Sequence, residues 1–210
     1  MAPQILVFGL PRTGTQSLLD ALEILGCSKT YHMRNVQERG HIDDWITLLK
    51  QRNEGEGVNL SLLDHLLDDC EAVADFPVSI FYRELLRLYP NAKVVVTSRN
   101  EDEWIRSMST TLIDSHTKPD ADTTRPMRPL AEAYHTYCWN NDFTQFGREY
   151  YRTYLRDVRV LARGRTVLEY HPGDGWASLC EFVKCDIPEE SFPRKDEMAQ
   201  YKSVEKELVK

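Results

Sequence analysis

The stretch Ile5-Leu-Val-Phe-Gly-Leu-Pro-Arg-Thr-Gly-Thr-Gln-Ser-Leu18 decides how the rest of the chain is read. Ile5 to Phe8 form a short buried strand, and Gly9 and Gly14 bracket a loop. A helix then opens at about Thr15, carries Leu18, Leu19, Leu22 and Leu25, and stops at Gly26. The first turn of a helix leaves backbone N–H groups without partners and gathers partial positive charge. A Gly-flanked loop that aims those groups at one point holds a phosphate or a sulfate. An anion cradle is therefore expected at the end of the first strand.

The spacing Gly9-x4-Gly14 matches the front half of a nucleotide-binding P-loop, Gly-x4-Gly-Lys-Ser/Thr, and the second half departs from it. Thr15 and Gln16 stand where a triphosphatase has the Lys that reaches the β- and γ-phosphates and the hydroxyl that ligates magnesium. The cation has moved into the loop as Arg12. Alone, the stretch also fits an ordinary strand-to-helix turn, so a second motif is needed.

The composition sets outer bounds. A chain of 210 residues with 41% hydrophobic content builds one sizeable core, predicting a single domain over 1–194 and a charged tail over 195–210. It has no apolar run near the length of a membrane span, and Met-Ala-Pro leads straight into the first strand, so a cytoplasmic protein without a membrane partner is expected. The net charge of −7 argues against a general nucleic-acid binder while leaving room for a local basic pocket. Cys27, Cys70, Cys138, Cys180 and Cys185 are scattered, without CxxC or zinc-finger spacing, and read as reduced, mostly buried thiols.

Downstream, Lys29 to Met33 reads as a second strand, with His32 near its end as a site residue or a packed, hydrogen-bonded one. Residues 42–52 and 59–70 have helical spacing. His65, Asp68 and Asp69 in the second of these have i, i+3, i+4 spacing, and a solvated acidic surface accounts for them better than a metal site. Ala72 to Asp75 is a short strand stopped by Pro77. It puts Asp75 at the carboxyl end of a strand, where open parallel sheets hold their ligands, so Asp75 is either a general base or the cap of a helix over 78–89.

The second motif is Lys93-Val-Val-Val-Thr-Ser-Arg-Asn-Glu-Asp-Glu-Trp-Ile-Arg-Ser-Met108. Val94 to Thr97 are a buried strand, and Asn100 with Glu103 has capping-box spacing at the start of a helix. Arg99 then sits at a strand end. Ser107, almost two turns along, is expected to converge with it on one anion.

Together these segments resemble the sulfotransferase family, in particular the group that includes the oxamniquine-activating enzyme of blood flukes. The likeness is carried by Gly9-Leu-Pro-Arg-Thr-Gly-Thr15, Tyr31-His-Met33, Asp75-Phe-Pro77, Tyr89-Pro-Asn-Ala-Lys-Val94, Arg99 with Ser107, Asp174-Gly-Trp-Ala-Ser-Leu-Cys180 and Phe192-Pro193. The resemblance implies 3′-phosphoadenosine 5′-phosphosulfate (PAPS) as donor, adenosine 3′,5′-bisphosphate (PAP) as product, and no metal. Pro11, Arg12, Thr13, Gly14, Thr15, Gln16 and Ser17 would hold the 5′-phosphosulfate, and Arg99 with Ser107 the 3′-phosphate. Asp75 would deprotonate the acceptor molecule, with His32 as a secondary candidate.

The chain also departs from the family pattern. Arg12 replaces a catalytic Lys, and a guanidinium stabilises charge but is a poor proton donor. Asp75 stands where better-known enzymes use His, and Gln16 where some relatives carry Lys. The Gly-x-x-Gly-x-x-Lys element is absent, leaving Arg194 and Lys195 as its substitutes.

Residues 114–129 read as a long mobile loop of the kind that forms lids. A helical region over 130–163 follows, with Arg148, Arg152, Arg156, Arg159 and Arg163 on one solvated face balanced by Glu149 and Asp157. Its tyrosines and phenylalanines, Tyr134 among them, are core, and some of them would line an apolar pocket. Thr166 to Tyr170 is the last strand, followed by His171 and a helix over 175–184.

The expected fold is a three-layer α/β P-loop-type fold with a central parallel sheet of about five strands, near 4–8, 29–33, 72–75, 93–98 and 166–170. The expected function is metal-independent transfer of a sulfuryl group from PAPS to a hydroxyl, or an amine, of a small molecule, with an apolar or aromatic alcohol favoured by the aromatic content. A non-catalytic relative that binds PAP or a protein stays open as an alternative. So does a P-loop kinase or NTPase, against which the missing Lys-Ser/Thr pair counts. Strand order and oligomeric state are not legible in the residues.

Overall fold

A computed structural model describes residues 2–118 and 125–194. Five strands, β1 (Ile5–Phe8), β2 (Thr30–Tyr31), β3 (Ala72–Ala74), β4 (Lys93–Thr97) and β5 (Val167–Tyr170), form one sheet in the order β2-β3-β1-β4-β5. Every pairing is parallel. The helices are α1 (Thr15–Ile24), α2 (Met33–Glu38), α3 (Ile42–Glu54), α4 (Leu60–His65), α5 (Tyr82–Leu88), α6 (Glu101–Met108), α7 (Asp114–Thr117), α8 (Arg128–Trp139), α9 (Phe143–Leu161) and α10 (Trp176–Val183).

The pleat explains the layers. Ile5, Val7, Ala72, Ala74 and Val95 point to one face and pack on Leu18, Leu19 and Leu22 of α1 and on Trp176 and Leu179 of α10. Leu6, Phe8, Val73, Val94 and Val96 point to the other, against a thicker layer that includes Trp45, Leu85, Trp104 and Tyr154. Because both faces are covered, β1 and β3 are apolar throughout and β4 carries three consecutive valines, in place of an alternating pattern. β1 lies mid-sheet with β3 on one side and β4 on the other, so the chain reverses direction across it. Ligands of open α/β sheets bind in the crevice at such a reversal.

Several expected boundaries move. The helical region over 130–163 is two helices, broken where Asn140 and Asn141 take φ of 48° and 57°. Asp142 then caps α9 by accepting from the Gln145 N–H at 2.9 Å. Asn tolerates the left-handed region and Asp is a strong cap, so the break is encoded locally. The expected helix over 59–70 ends at His65, and the one over 78–89 begins as a 3-10 turn, Val78–Phe81. The expected loop over 114–129 is helical at both ends. A π-turn, Ser109–Ile113, runs from α6 into α7, and α8 starts at Arg128; residues 119–124 and the expected tail over 195–210 lie outside the described residues.

The arginine face of α9 is ion-paired, largely with other elements: Arg148 and Arg152 with Glu101, and Arg159 with Glu169. Asp69, weighed above for a metal, pairs with Arg39 at 2.8 Å. Among the described residues no group of three or more His, Cys, Asp or Glu is arranged to hold a metal ion. Among the same residues no helix is long and apolar enough to cross a membrane. All five cysteines are free, with Cys185 exposed.

Candidate active site

The strands end at one edge of the sheet, and the residues that follow them meet in a cleft of about 1170 Å³: Arg12 after β1, His32 after β2, Asp75 after β3, Arg99 after β4 and Pro172 after β5. Pro11, Gly14, Thr15, Gln16 and Ser17 line the same wall, and Arg194 reaches it from the far end of the described chain.

The loop's shape comes from close backbone packing. A Cβ on Gly9 would lie 1.7 Å from Thr97 Oγ1, so only glycine fits there. Behind it the Thr13 hydroxyl donates to the Leu10 carbonyl at 2.7 Å and meets the Thr97 hydroxyl at 2.7 Å. Thr13 therefore faces inward and pins the loop to β4 instead of lining the cleft. Gly14 and Arg12 both have left-handed backbone, with φ of 88° and 71°. Glycine tolerates this, whereas a non-glycine residue held there stores on the order of 1–3 kcal/mol, a cost found chiefly at functional sites. Asp75, with φ of 62°, is the second such residue in the cleft.

Helix α1 has no side-chain cap and no acid in its first turn. Its first internal bond runs from the Leu18 N–H to the Gly14 carbonyl at 3.1 Å. The N–H groups before Leu18 lie outside that ladder, so the positive end of the helix is not neutralised by its own sequence. Gln16 donates to Asp20 Oδ1 at 3.2 Å, and Asp20 in turn pairs with Arg34 at 3.0 Å.

Arg99 and Ser107, expected to converge on one anion, each hold a different protein partner in this structure. The Ser107 hydroxyl accepts from Arg12 Nε at 3.2 Å, whereas Arg99 Nε donates to Glu103 at 3.1 Å. Two turns of α6 carry Ser107 past the strand end and back to the loop. The Arg99–Glu103 pair is solvent-exposed and four residues apart on a helix start, a geometry worth about 0.3–0.5 kcal/mol, so it holds Arg99 only weakly.

The carboxylate has company. Asp75 is 7% exposed and His32 6%, and His32 Nε2 lies 3.2 Å from Asp75 Oδ2 and 3.3 Å from the Thr15 hydroxyl. Burial, reinforced by Arg34 and opposed by the Asp20 carboxylate, lowers the His32 pKa to about 3. The contact is therefore a hydrogen bond from a neutral imidazole, with the proton on Nε2, and not an ion pair. Nδ1 is buried without a partner. Asp75 does not cap the following 3-10 turn with its side chain; its backbone carbonyl accepts the Ser79 N–H at 2.7 Å.

The opposite wall was largely missed in the sequence. Leu112, Met127, Ala131 and Tyr134 line it, together with His116 and His135, whose rings stack at 4.0 Å and 18°. Trp139 donates its indole N–H to His135 Nδ1 at 2.8 Å, which places the imidazole proton on Nε2. Burial lowers the His135 pKa to about 3 and lowers that of His116, so both rings are neutral at neutral pH. Tyr134 was among the aromatic residues expected to be core, with some of them lining an apolar pocket, and no spacing rule marked the two histidines. His171 is exposed, beside Asp174.

Comparison with known proteins places this architecture. The chain is 33% identical over 209 residues to Ava biosynthesis cluster protein M of Aspergillus versicolor, covering 90% of this chain and 79% of that protein. The likeness to the oxamniquine-activating group remains one of motifs. A profile of the sulfotransferase domain matches residues 4–201, nearly the whole sequence, and the chain belongs to the sulfotransferase family.

Proposed function

We propose that this protein transfers a sulfuryl group from PAPS to a hydroxyl of a small molecule without a metal. The observation that carries the reading is the convergence of an uncapped helix start, a loop cation (Arg12), a strand-end cation (Arg99) and a buried carboxylate (Asp75) on one cleft. The donor set suits a phosphosulfate: N–H groups and guanidinium groups for anionic oxygens, with a glycine at the point where a side chain could not fit. PAPS supplies an electrophilic sulfur on a phosphate leaving group, so an oxygen–sulfur bond forms as the sulfur–phosphate-oxygen bond breaks and PAP departs.

The chain's own part is positioning, proton removal and charge stabilisation. Asp75 takes the hydroxyl proton. His32, donating from Nε2 to one carboxylate oxygen, holds Asp75 in orientation, a role its buried Nδ1 suits better than that of a base. Arg12, braced by Ser107, and the loop N–H groups face the charge that develops as the bond breaks; such donors are each worth about 3–4 kcal/mol. Arg99 reads the 3′-phosphate, and Arg194 is a further contact. The acceptor molecule enters against the His116–His135 stack and the apolar residues around it, which suits a flat, uncharged alcohol. The free cysteines favour a cytoplasmic setting.

Calorimetric titration with PAP, AMP and ADP, each with and without magnesium, tests this. Tight metal-independent binding of PAP that AMP does not match is expected, followed by sulfuryl transfer in a screen of alcohols. Magnesium-dependent ADP binding without preference for PAP would return the chain to the kinases. Tight PAP binding with no transfer to any alcohol would make it a binding protein.

A further inference from the structure

Between the last ladder bond of β4, from the Ser98 N–H to the Tyr170 carbonyl at 3.2 Å, and the Asn100 cap of α6, one residue, Arg99, has neither a strand nor a helix to hold its backbone. A single side chain holds it. The Tyr151 hydroxyl accepts the Arg99 N–H at 2.9 Å and donates to the Arg99 carbonyl at 2.5 Å. Tyr151 comes from the middle of α9 and is 4% exposed. Its ring stacks on Trp104 at 4.5 Å and 27°, and Trp104 is fully buried. The indole N–H of Trp104 donates to the Pro11 carbonyl at 2.9 Å, one residue before Arg12 takes its left-handed turn. One turn further along α6, Ser107 holds Arg12 Nε.

From this chain of contacts we infer that Trp104 and Tyr151 are positioning residues that make the two anion anchors, Arg12 in the loop and Arg99 at the end of β4, one rigid unit. The inference rests on the proposed sulfuryl-donor reading, in which the two anchors hold opposite ends of one nucleotide. The distance between the 5′- and 3′-phosphates of a nucleotide is set by its ribose, so a protein that discriminates PAP from AMP must hold its two anchors at a matching separation. Neither anchor is fixed by its own secondary structure: Arg12 lies in a left-handed turn and Arg99 in a one-residue gap. Two aromatic side chains from α6 and α9 replace the missing ladder. Tyr151 acts at the 3′ end through Arg99, and Trp104 at the 5′ end through Pro11.

The two ends give different signatures. Tyr151→Phe keeps the ring on Trp104 and removes the hydroxyl alone. The expected result is that PAP affinity falls about tenfold, the effect of about 1.4 kcal/mol in positioning a charged hydrogen-bond partner, while AMP affinity changes less than twofold. Trp104→Phe keeps an aromatic ring and removes the bond to Pro11, so PAP and AMP are expected to weaken equally. Both ratios are read on the folded fraction in calorimetric titrations, so a modest loss of stability does not move them. Equal weakening of PAP and AMP in Tyr151→Phe, or no change in either, overturns the inference while the wild-type preference for PAP stands. A wild type without preference for PAP overturns the donor reading, and this inference with it.

Discussion

At one end of the cleft the wall is backbone: Gly9 pressed on Thr97, Arg12 and Gly14 in left-handed turns, and the open start of α1. At the other end the wall is made of side chains, with His116, His135 and Tyr134 standing on helical segments over a hundred residues from the loop. A backbone-built end suits a ligand by charge and geometry, the features that a phosphosulfate donor, as proposed, would present. A side-chain-built end is free to change without disturbing the sheet, so under the proposed function the choice of acceptor molecule would belong there. Asp75 and His32 lie between them.

Substitutions that separate the ends sharpen this contrast, and those that affect both break it. The largest effect is expected at the midpoint. Asp75→Asn should lower turnover about a thousandfold while PAP affinity stays within about twofold in calorimetry; retained turnover would take Asp75 out of the base role. At the backbone end, Arg99→Ala should reduce the preference for PAP over AMP by about ten- to a hundredfold, the loss of a charge-assisted bond, and an unchanged preference would place the 3′-phosphate elsewhere.

Acid should be felt at the two buried histidines. His32 and His135 have folded pKa values near 3, below the value of about 6.5 for an unfolded chain, so the unfolded state binds more protons between those limits. Their contribution is full above pH 6.5 and is lost as pH falls towards 3, at up to about 1.4 kcal/mol per unit for each residue. Urea midpoints at pH 7 and pH 5 should therefore differ by less in His135→Phe than in wild type, and an equal drop would count against a neutral buried His135.

The smallest effect belongs to the side-chain wall. His116→Ala should raise KM for an aryl alcohol by about two- to tenfold, the range of a ring–ring contact, with PAP affinity unchanged and His116→Phe restoring the lost part. A matching change in PAP affinity would mean that the two ends are not separable.

The same contrast governs what could be read in advance. The loop was legible because a left-handed turn and a contact of 1.7 Å demand glycine, and Gly9 and Gly14 are visible as letters. The strands were legible because a sheet covered on both faces asks for short apolar runs. Asp75 and Arg99 were placed at strand ends by the residues that stop those strands. What was lost depends on partners distant in sequence. Thr13 turns inward because Thr97 is behind it, and Ser107 meets Arg12 across 95 positions. The two imidazoles, His116 of α7 and His135 of α8, stack across nineteen positions of sequence. The break at Asn140 was legible in principle, since Asn-Asn-Asp carries both a left-handed stop and a cap.

The first turn of α1 has neither an acid nor a capping side chain, so part of its free energy is left for a ligand to supply. A donor or product at a hundred times its dissociation constant would raise the unfolding free energy by about 2.7 kcal/mol. If that ligand is the proposed sulfuryl donor, the folded population would follow nucleotide supply, and a chain short of donor would open more often.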